Sequence, residues 1–534
     1  MNHPSTGRRG VVVSAHPLAS AAGLKVLRGG GNAVDAAVAT SLVLGVVAPA
    51  FSGIGGGGFM MVRMKDEETR YIDYRETAPR AAKADMFRLD RDGSPEGSAN
   101  SAGYLSVAVP GTVAGLNYAL ENYGNLRFGD VASQAISFAR DGFQVSPLMA
   151  AIMTDRVKSS VQKIARFPES RGEWLKRGRG LRRGEKKVSA NFAKALELVA
   201  KGGPDAFYRG ELARMIAGDM SLNGGLVDER DLADYHIQVR KPVKGTYRGF
   251  EVHAMPPPSL GGTALIQLLN LFEDVDLSGM GLNSAETIAA MAKALSLVWP
   301  DLKRQIGDPS FIRADTRSLT SKEYAARLWL SQARRGVERD LSGKDWTSHL
   351  SVVDGDGNVA AVTESLECYF GSGVIVPGTG FFLNDTMHDF DPRPGGPNSV
   401  GPGRRPVSNM TPTLLLKDGR PYLVAGSAAG PRIVTATLQT IVNVLDHAMD
   451  VQDAVDAPRF HYEGFGPLKV ESRIVPAVRE RLRGMGFEPD VPHFVELKRG
   501  YDAYFGGVNA VLVDGRGELR GGADPRRQGA VAAY

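Results

Sequence analysis

A single cysteine, Cys368, stands in the chain of 534 residues, so no disulfide can form within it. Histidine is also sparse. The nine that occur are scattered, with no HxxxH, HExxH or paired-cysteine spacing, so no metal site and no cofactor are called for. No apolar run is long enough to span a bilayer; the longest, AAVATSLVLGVVAPA at 36–50, reads as a buried helix. The opening MNHPSTGRRGVVVSAHPLAS lacks the apolar core of a secretory signal. That fits a cytoplasmic enzyme, or a mature form from which a signal has been removed. An excess of one charge is missing too: 64 basic residues face 59 acidic ones, and a net +5 does not argue for nucleic acid.

What is present is ordinary globular material, 43% hydrophobic and 23% charged, with 64 glycines that imply tight turns and close backbone approaches. The length allows several domains or one large α/β unit. Residues 18–47 carry helical periodicity on both sides of a GGGN break, predicting a helical hairpin. SGIGGGGFMMVRM and RYIDYRETAPR follow as strands, and the stretch from about 110 to 340 is mostly helical in pattern. Strand patterns return after 347, in HLSVVD, VAAVTESL, TPTLLLKDGRPYLVAG and GVNAVLVDGRGELRGG, with DG elements as hairpin turns. The basic segment 171–187, RGEWLKRGRGLRRGEKK, reads as a solvated loop rather than a docking patch.

The glycine-rich run Ser52–Phe59 follows a helical pattern and lacks the terminal Lys-Ser/Thr of a phosphate loop. A glycine-packed backbone crossing fits it better. No G-x-S-x-G anchors a serine triad, although its members could lie anywhere in the chain. The run DWTSHLSVVD is different, because Thr347 and Ser348 stand directly before an alternating strand. A threonine hydroxyl becomes a nucleophile when its own freed α-amine, with a pKa of roughly 8, sits beside it as base. An internal threonine gains that amine only if the preceding bond, here Trp346–Thr347, is cut. Alternation places His349 on the same strand face as Thr347, where a lone histidine is structural more often than a ligand.

Neighbouring motifs give that reading its weight. SAHPLASAAGLKVLRGGGNAVDAAVA, SGIGGGGFM, DYRETAPRAA, VAVPGTVAGL, FYRGELA, DLADY, PPPSLGG, TSHLSVVDGDGNVAAVT, FGSGVIVPGTGFFLND, GPGRRPVSNMTPT and ADPRRQG run in order from about residue 10 to Tyr534. In these the chain resembles the γ-glutamyltranspeptidase family of N-terminal-nucleophile hydrolases. The resemblance implies an α/β (α+β) fold, a four-layer αββα sandwich. It also implies self-cleavage between Trp346 and Thr347 and a heterodimer of fragments 1–346 and 347–534, with further dimerisation left open. The activity implied is hydrolysis or transfer of γ-glutamyl amides, small-molecule donors such as glutathione, through an acyl-enzyme on Thr347.

By the same resemblance Ser365 is the second hydroxyl beside the nucleophile, Arg75 in DYRETAP grips the substrate α-carboxylate, and Asp389 in NDTMHDF takes its amino group. The amides of Ala429 and Gly430 in GSAAGPR form the oxyanion hole. Without the resemblance, a salt bridge from Arg75 to Glu76 or Asp73 explains that arginine equally well. Four positions depart from the family pattern: Glu367 replaces an asparagine, Thr386 a glutamine or glutamate, Asn409 the second of a serine pair begun by Ser408, and Ala429 a glycine. Glu367 could stand in for the longer acidic or amide side chain that Thr386 replaces, or it could crowd carboxylates where the α-carboxylate should sit. The loop DPRPGGPNSV is short where some members carry a lid, which suggests an open site, able to take bulky donors and to favour water as acceptor. The rival readings are an N-acyl amide hydrolase of different head-group specificity, cephalosporin-acylase-like, and a silent binding homologue that never processes.

Overall fold

The computed structural model describes residues 5–154, 158–331 and 346–534. Two seven-stranded antiparallel sheets form its centre. In spatial order the first contains Ala530–Ala533, Gly10–Ser14, Trp346–Asp354, Val359–Glu367, Gly57–Arg63, Arg70–Tyr74 and Gln238–Arg240. The second contains Thr6–Gly7, Leu519–Ala523, Asn509–Val513, Arg420–Gly426, Thr413–Lys417, Phe250–Ala254 and Val243–Tyr247.

The period-two alternation of strands sorts their side chains into three apolar cores. Val11, Val13, Phe59, Met61, Val353 and Ala361 point between the sheets, where they meet Leu414, Leu416, Val424 and Val511. Their neighbours Val12, Met60, Val62, Leu350, Val352 and Val362 point outward against helices Pro17–Arg28, Ala33–Val47 and Thr112–Tyr123. On the far side Val252, Leu415, Leu423 and Ala510 pack under helices Gly261–Phe272 and Arg432–Leu445. Helix, sheet, sheet, helix: the four layers are those expected.

Helix Ala33–Val47 is buried along its whole length, which its uniformly apolar sequence permits. A reciprocal capping box between Asn32 and Asp35 starts it after the glycine break. Against it helix Pro17–Arg28 approaches closely at Gly23, where a Cβ would lie 2.3 Å from Thr40 Oγ1. The glycine run is the predicted backbone crossing: a Cβ on Gly56 would lie 2.1 Å from the Ser365 carbonyl oxygen.

Two sequence expectations need correction. The mostly helical middle also supplies strands Gln238–Arg240, Val243–Tyr247 and Phe250–Ala254 to the edges of both sheets. Their mixed, partly exposed composition hides the alternation that marks central strands. The basic segment 171–187 is folded rather than a plain loop. Leu175–Lys176 pairs with Arg179–Gly180, Lys186–Lys187 pairs with Phe143–Gln144, and buried Trp174 carries Lys187 Nζ 5.0 Å above its ring. No described helix is long and apolar enough to cross a membrane.

Candidate active site

The hairpin of Trp346–Asp354 and Val359–Glu367 sets Thr347 opposite Ser365, and its register slips between Trp346 and Thr347. Such a bulge re-aims the backbone where it occurs. Ser365 Oγ accepts from the Glu367 amide at 2.8 Å and donates to the Trp346 carbonyl at 2.7 Å. The amide fixes one side of the hydroxyl, so its proton faces that carbonyl and polarises the bond that precedes Thr347. The family resemblance had Ser365 bonding the nucleophile itself; in the continuous chain the hydroxyl is on the carbonyl next to it. Both Thr347 and Ser365 are buried.

His349 shares the Thr347 face, as alternation requires, and lies between the sheets. Its ring nitrogens meet Thr363 Oγ1 at 2.8 Å and Ser351 Oγ at 3.0 Å, and burial lowers its pKa to about 3. It stays neutral and is structural. On the opposite face Glu364 is buried, with Ser41 Oγ donating to it at 2.7 Å, and burial raises its pKa to about 7.

Beyond Ser365 the chain builds a cage around Arg75, a fully buried guanidinium. Asp389 pairs with Nη2, while Glu76 and Glu367 approach Nη1 at 3.4 and 3.5 Å, and the Val407 carbonyl accepts from Nη2 at 3.3 Å. Burial pulls the Arg75 pKa down, but the three carboxylates outweigh it and hold the group charged. Burial lifts Glu76 to about 7 against the pull of Arg75 and of Thr386, whose hydroxyl donates to it at 2.8 Å. Asp73, the other partner considered for Arg75, accepts from its backbone amide at 3.0 Å and takes its ion pairs from Arg240 and Arg405.

Asn384 and Asp385 fasten the turn that bears Thr386 and Asp389. The Asn384 amide group bonds Gly55 and Ala108 carbonyls, and Asp385 accepts from the Cys368 amide and Lys163. Asn398, in the short loop after Asp389, donates to the Asp389 carbonyl and accepts from the Val407 amide. Ser408 and Asn409 follow Val407. Ser408 Oγ accepts from the Met410 amide at 3.2 Å, and the Asn409 carbonyl packs on Gly261.

Ala429 and Gly430 form the turn between strand Arg420–Gly426 and helix Arg432–Leu445. Ala429 has φ +93°, outside the range an L-residue with a Cβ favours. Neither residue's amide finds an acceptor among the described residues. The adjacent Ala428 lines the same cavity as Thr347 and Ser348.

Sequence reasoning missed what surrounds Trp346. Its buried indole stacks on Tyr369 at 4.4 Å and on Phe494 at 4.9 Å, with the Arg527 guanidinium 4.4 Å and that of Arg432 5.9 Å from its ring. Arg527 was in view within ADPRRQG, but nothing local tells that 180 residues of chain return it to Trp346 (about that many separate them). Glu76 was in view as well, within DYRETAP.

Comparison with known proteins places the chain by family and fold. The profile of the family described as Gamma-glutamyltranspeptidase matches residues 19–534. A glutathione hydrolase proenzyme of Escherichia coli (strain K12) is 39% identical, over 98% of this chain and 91% of its own. An acylase ACY 1 proenzyme of Pseudomonas sp. (strain SE83) is 38% identical, over 99% and 94%. Among solved structures, a cephalosporin acylase from Bacillus halodurans is similar with a TM-score of 0.87 at 28% identity, covering 100% of this chain and 97% of that one.

Proposed function

Since the chain belongs to the γ-glutamyltranspeptidase family, we propose that it is a self-processing N-terminal-threonine enzyme that hydrolyses or transfers γ-glutamyl amides. The observation that carries the reading is the Ser365 hydroxyl on the Trp346 carbonyl, opposite Thr347. Thr347 Oγ attacks the Trp346 carbonyl carbon, the amide nitrogen leaves as the Thr347 amine, and water resolves the resulting ester. Fragments 1–346 and 347–534 result, as the word proenzyme in its relatives' names would lead one to expect.

In the mature enzyme the freed amine takes the Thr347 hydroxyl proton as that oxygen attacks a substrate amide, then hands it to the leaving amine. The amides of Ala429 and Gly430, unengaged by the described residues, would receive the oxyanion. Water or an amine then takes the acyl group from Thr347.

Charge decides between a γ-glutamyl and a glutaryl head group. Arg75 offers one positive charge, whereas Glu367 and Asp389 bring two negative ones and Glu76 is half-protonated near neutrality. A zwitterionic glutamyl group can give Arg75 its carboxylate and the surrounding acids its ammonium. A glutaryl group brings the carboxylate alone into a cage already negative. The enzyme is therefore expected to prefer γ-glutamyl over glutaryl 4-nitroanilide. Glu367→Asn is expected to shrink that preference on the order of tenfold, the effect of one charge-assisted contact. A preference for the glutaryl anilide in the wild type would give the site to the acylase reading.

A further inference from the structure

A cavity of about 10 Å³, room for roughly one water in the uncut chain, lies at Thr347 apart from the Arg75 cage. Its lining includes Thr347, Ser348, Ala428 and Arg527, but not Arg75, Glu367 or Asp389. A substrate with its acyl head in the cage and its scissile bond at Thr347 would direct its leaving amine to this side, which must widen to admit more than a water. Among the lining side chains only Arg527 carries charge. The lining His16 has its Nδ1 accepting from the Leu18 amide at 3.2 Å, and burial lowers its pKa to about 4, so it is neutral.

Arg527 is 3% exposed, and its Nε and Nη1 have no acceptor among the described residues; Nη2 alone reaches the Ala503 carbonyl at 3.3 Å. The nearby acids are already committed. Asp524 takes Arg459 at 2.7 Å and Arg526 at 3.1 Å, and Asp502 accepts the amides of Phe494, Val495 and Tyr504. Aromatic faces are what Arg527 meets instead, Trp346 at 4.4 Å and Phe51 at 5.6 Å. Burial, with Arg432 adding repulsion, lowers its pKa to about 10. A buried guanidinium with two unmet donors in an apolar cavity at a nucleophile is built for an anion that is not a side chain of its surroundings.

We propose that Arg527 is a carboxylate-binding residue on the leaving-amine side of Thr347, an assignment that rests on the enzyme reading above. Two carboxylates can reach it: one carried by the leaving or accepting amine, and the Trp346 terminus that self-cleavage creates, whose ring it already covers. The shared chemistry is a carboxylate seated beside an aromatic surface.

The test compares γ-glutamyl-4-nitroanilide with γ-glutamyl-3-carboxy-4-nitroanilide on the processed wild type, Arg527→Gln and Arg527→Lys. For a substrate carboxylate, the wild type prefers the carboxylated anilide by on the order of tenfold in kcat/KM. Arg527→Gln loses that preference through KM while still turning over the plain anilide, and Arg527→Lys keeps part of it. For the Trp346 terminus, no preference appears, but Arg527→Gln lowers the melting temperature of the cleaved protein more than that of the uncleavable Thr347→Ala protein. The Thr347→Ala background also reports whether Arg527→Gln folds. A wild type that cleaves and turns over the plain anilide, with neither a preference nor a selective melting change, overturns the Arg527 site alone. A wild type that neither cleaves nor turns over either anilide overturns the enzyme reading and this site together.

Discussion

Glu364 is a buried carboxyl under the nucleophile strand, opposite Ser348 and bonded to Ser41, that the proposed chemistry does not use. Burial raises its pKa to about 7, above the roughly 4.3 of an unfolded chain. Between those values the folded protein binds more protons than the unfolded one, so stability falls as pH rises through that window. Above pH 7 the folded protein holds a buried negative charge; only well below the unfolded value, under about pH 3.5, are the two states equally protonated. Glu364→Gln is accordingly expected to raise the melting temperature at pH 8, with the gain fading toward pH 5. A constant difference across that range would mean the carboxyl is not held neutral by burial. Nothing in VAAVTESL singles Glu364 out as a buried carboxyl, yet both faces of that strand are covered.

At the level of elements, the hairpin and the turn at Ala429 carry the argument. Ser365→Ala removes the only side-chain donor described on the Trp346 carbonyl and leaves its neighbours in place. Self-cleavage should then slow by tenfold or more, on the order of one buried hydrogen bond to a developing charge, and Ser365→Thr should restore it. Fragment yield against time checks this. The strand-to-helix turn predicts the opposite kind of result. Ala429 holds φ +93°, where glycine is unstrained, so Ala429→Gly should stabilise the protein by about 1 kcal/mol while keeping activity. A loss of activity with the gain in stability would mean that the strained alanine itself aims the amide.

Over the whole molecule, the two expected fragments are interleaved rather than side by side. Strands Gly10–Ser14 and Gly57–Arg63 flank the hairpin of 346–367 in one sheet, and Phe250–Ala254 joins Thr413–Lys417 in the other. Cutting at Trp346–Thr347 would leave both sheets intact. That interleaving explains what could be read from sequence. The helical hairpin at 17–47, the threonine strand and the glycine crossing follow from local spacing and were legible. The box of Tyr369, Phe494 and Arg527 around Trp346 is assembled from three distant segments, and the edge strands at 238–254 take their place only by pairing with partners far along the chain. The carboxylate cage was half legible: Arg75, Glu367 and Asp389 stood out through the family resemblance, and the Arg75–Glu76 pair through their adjacency, but that all three carboxylates meet on one guanidinium is a matter of folding.

The central claim is that Thr347 becomes a chain terminus by its own action. Intact masses of the purified protein after incubation at neutral pH, beside Thr347→Ala, test it most directly. Two fragments meeting at Trp346–Thr347 are expected in the wild type and one uncut chain in the variant. A single uncut chain in both would contradict it, since Thr347 would then have no free amine to serve as its base.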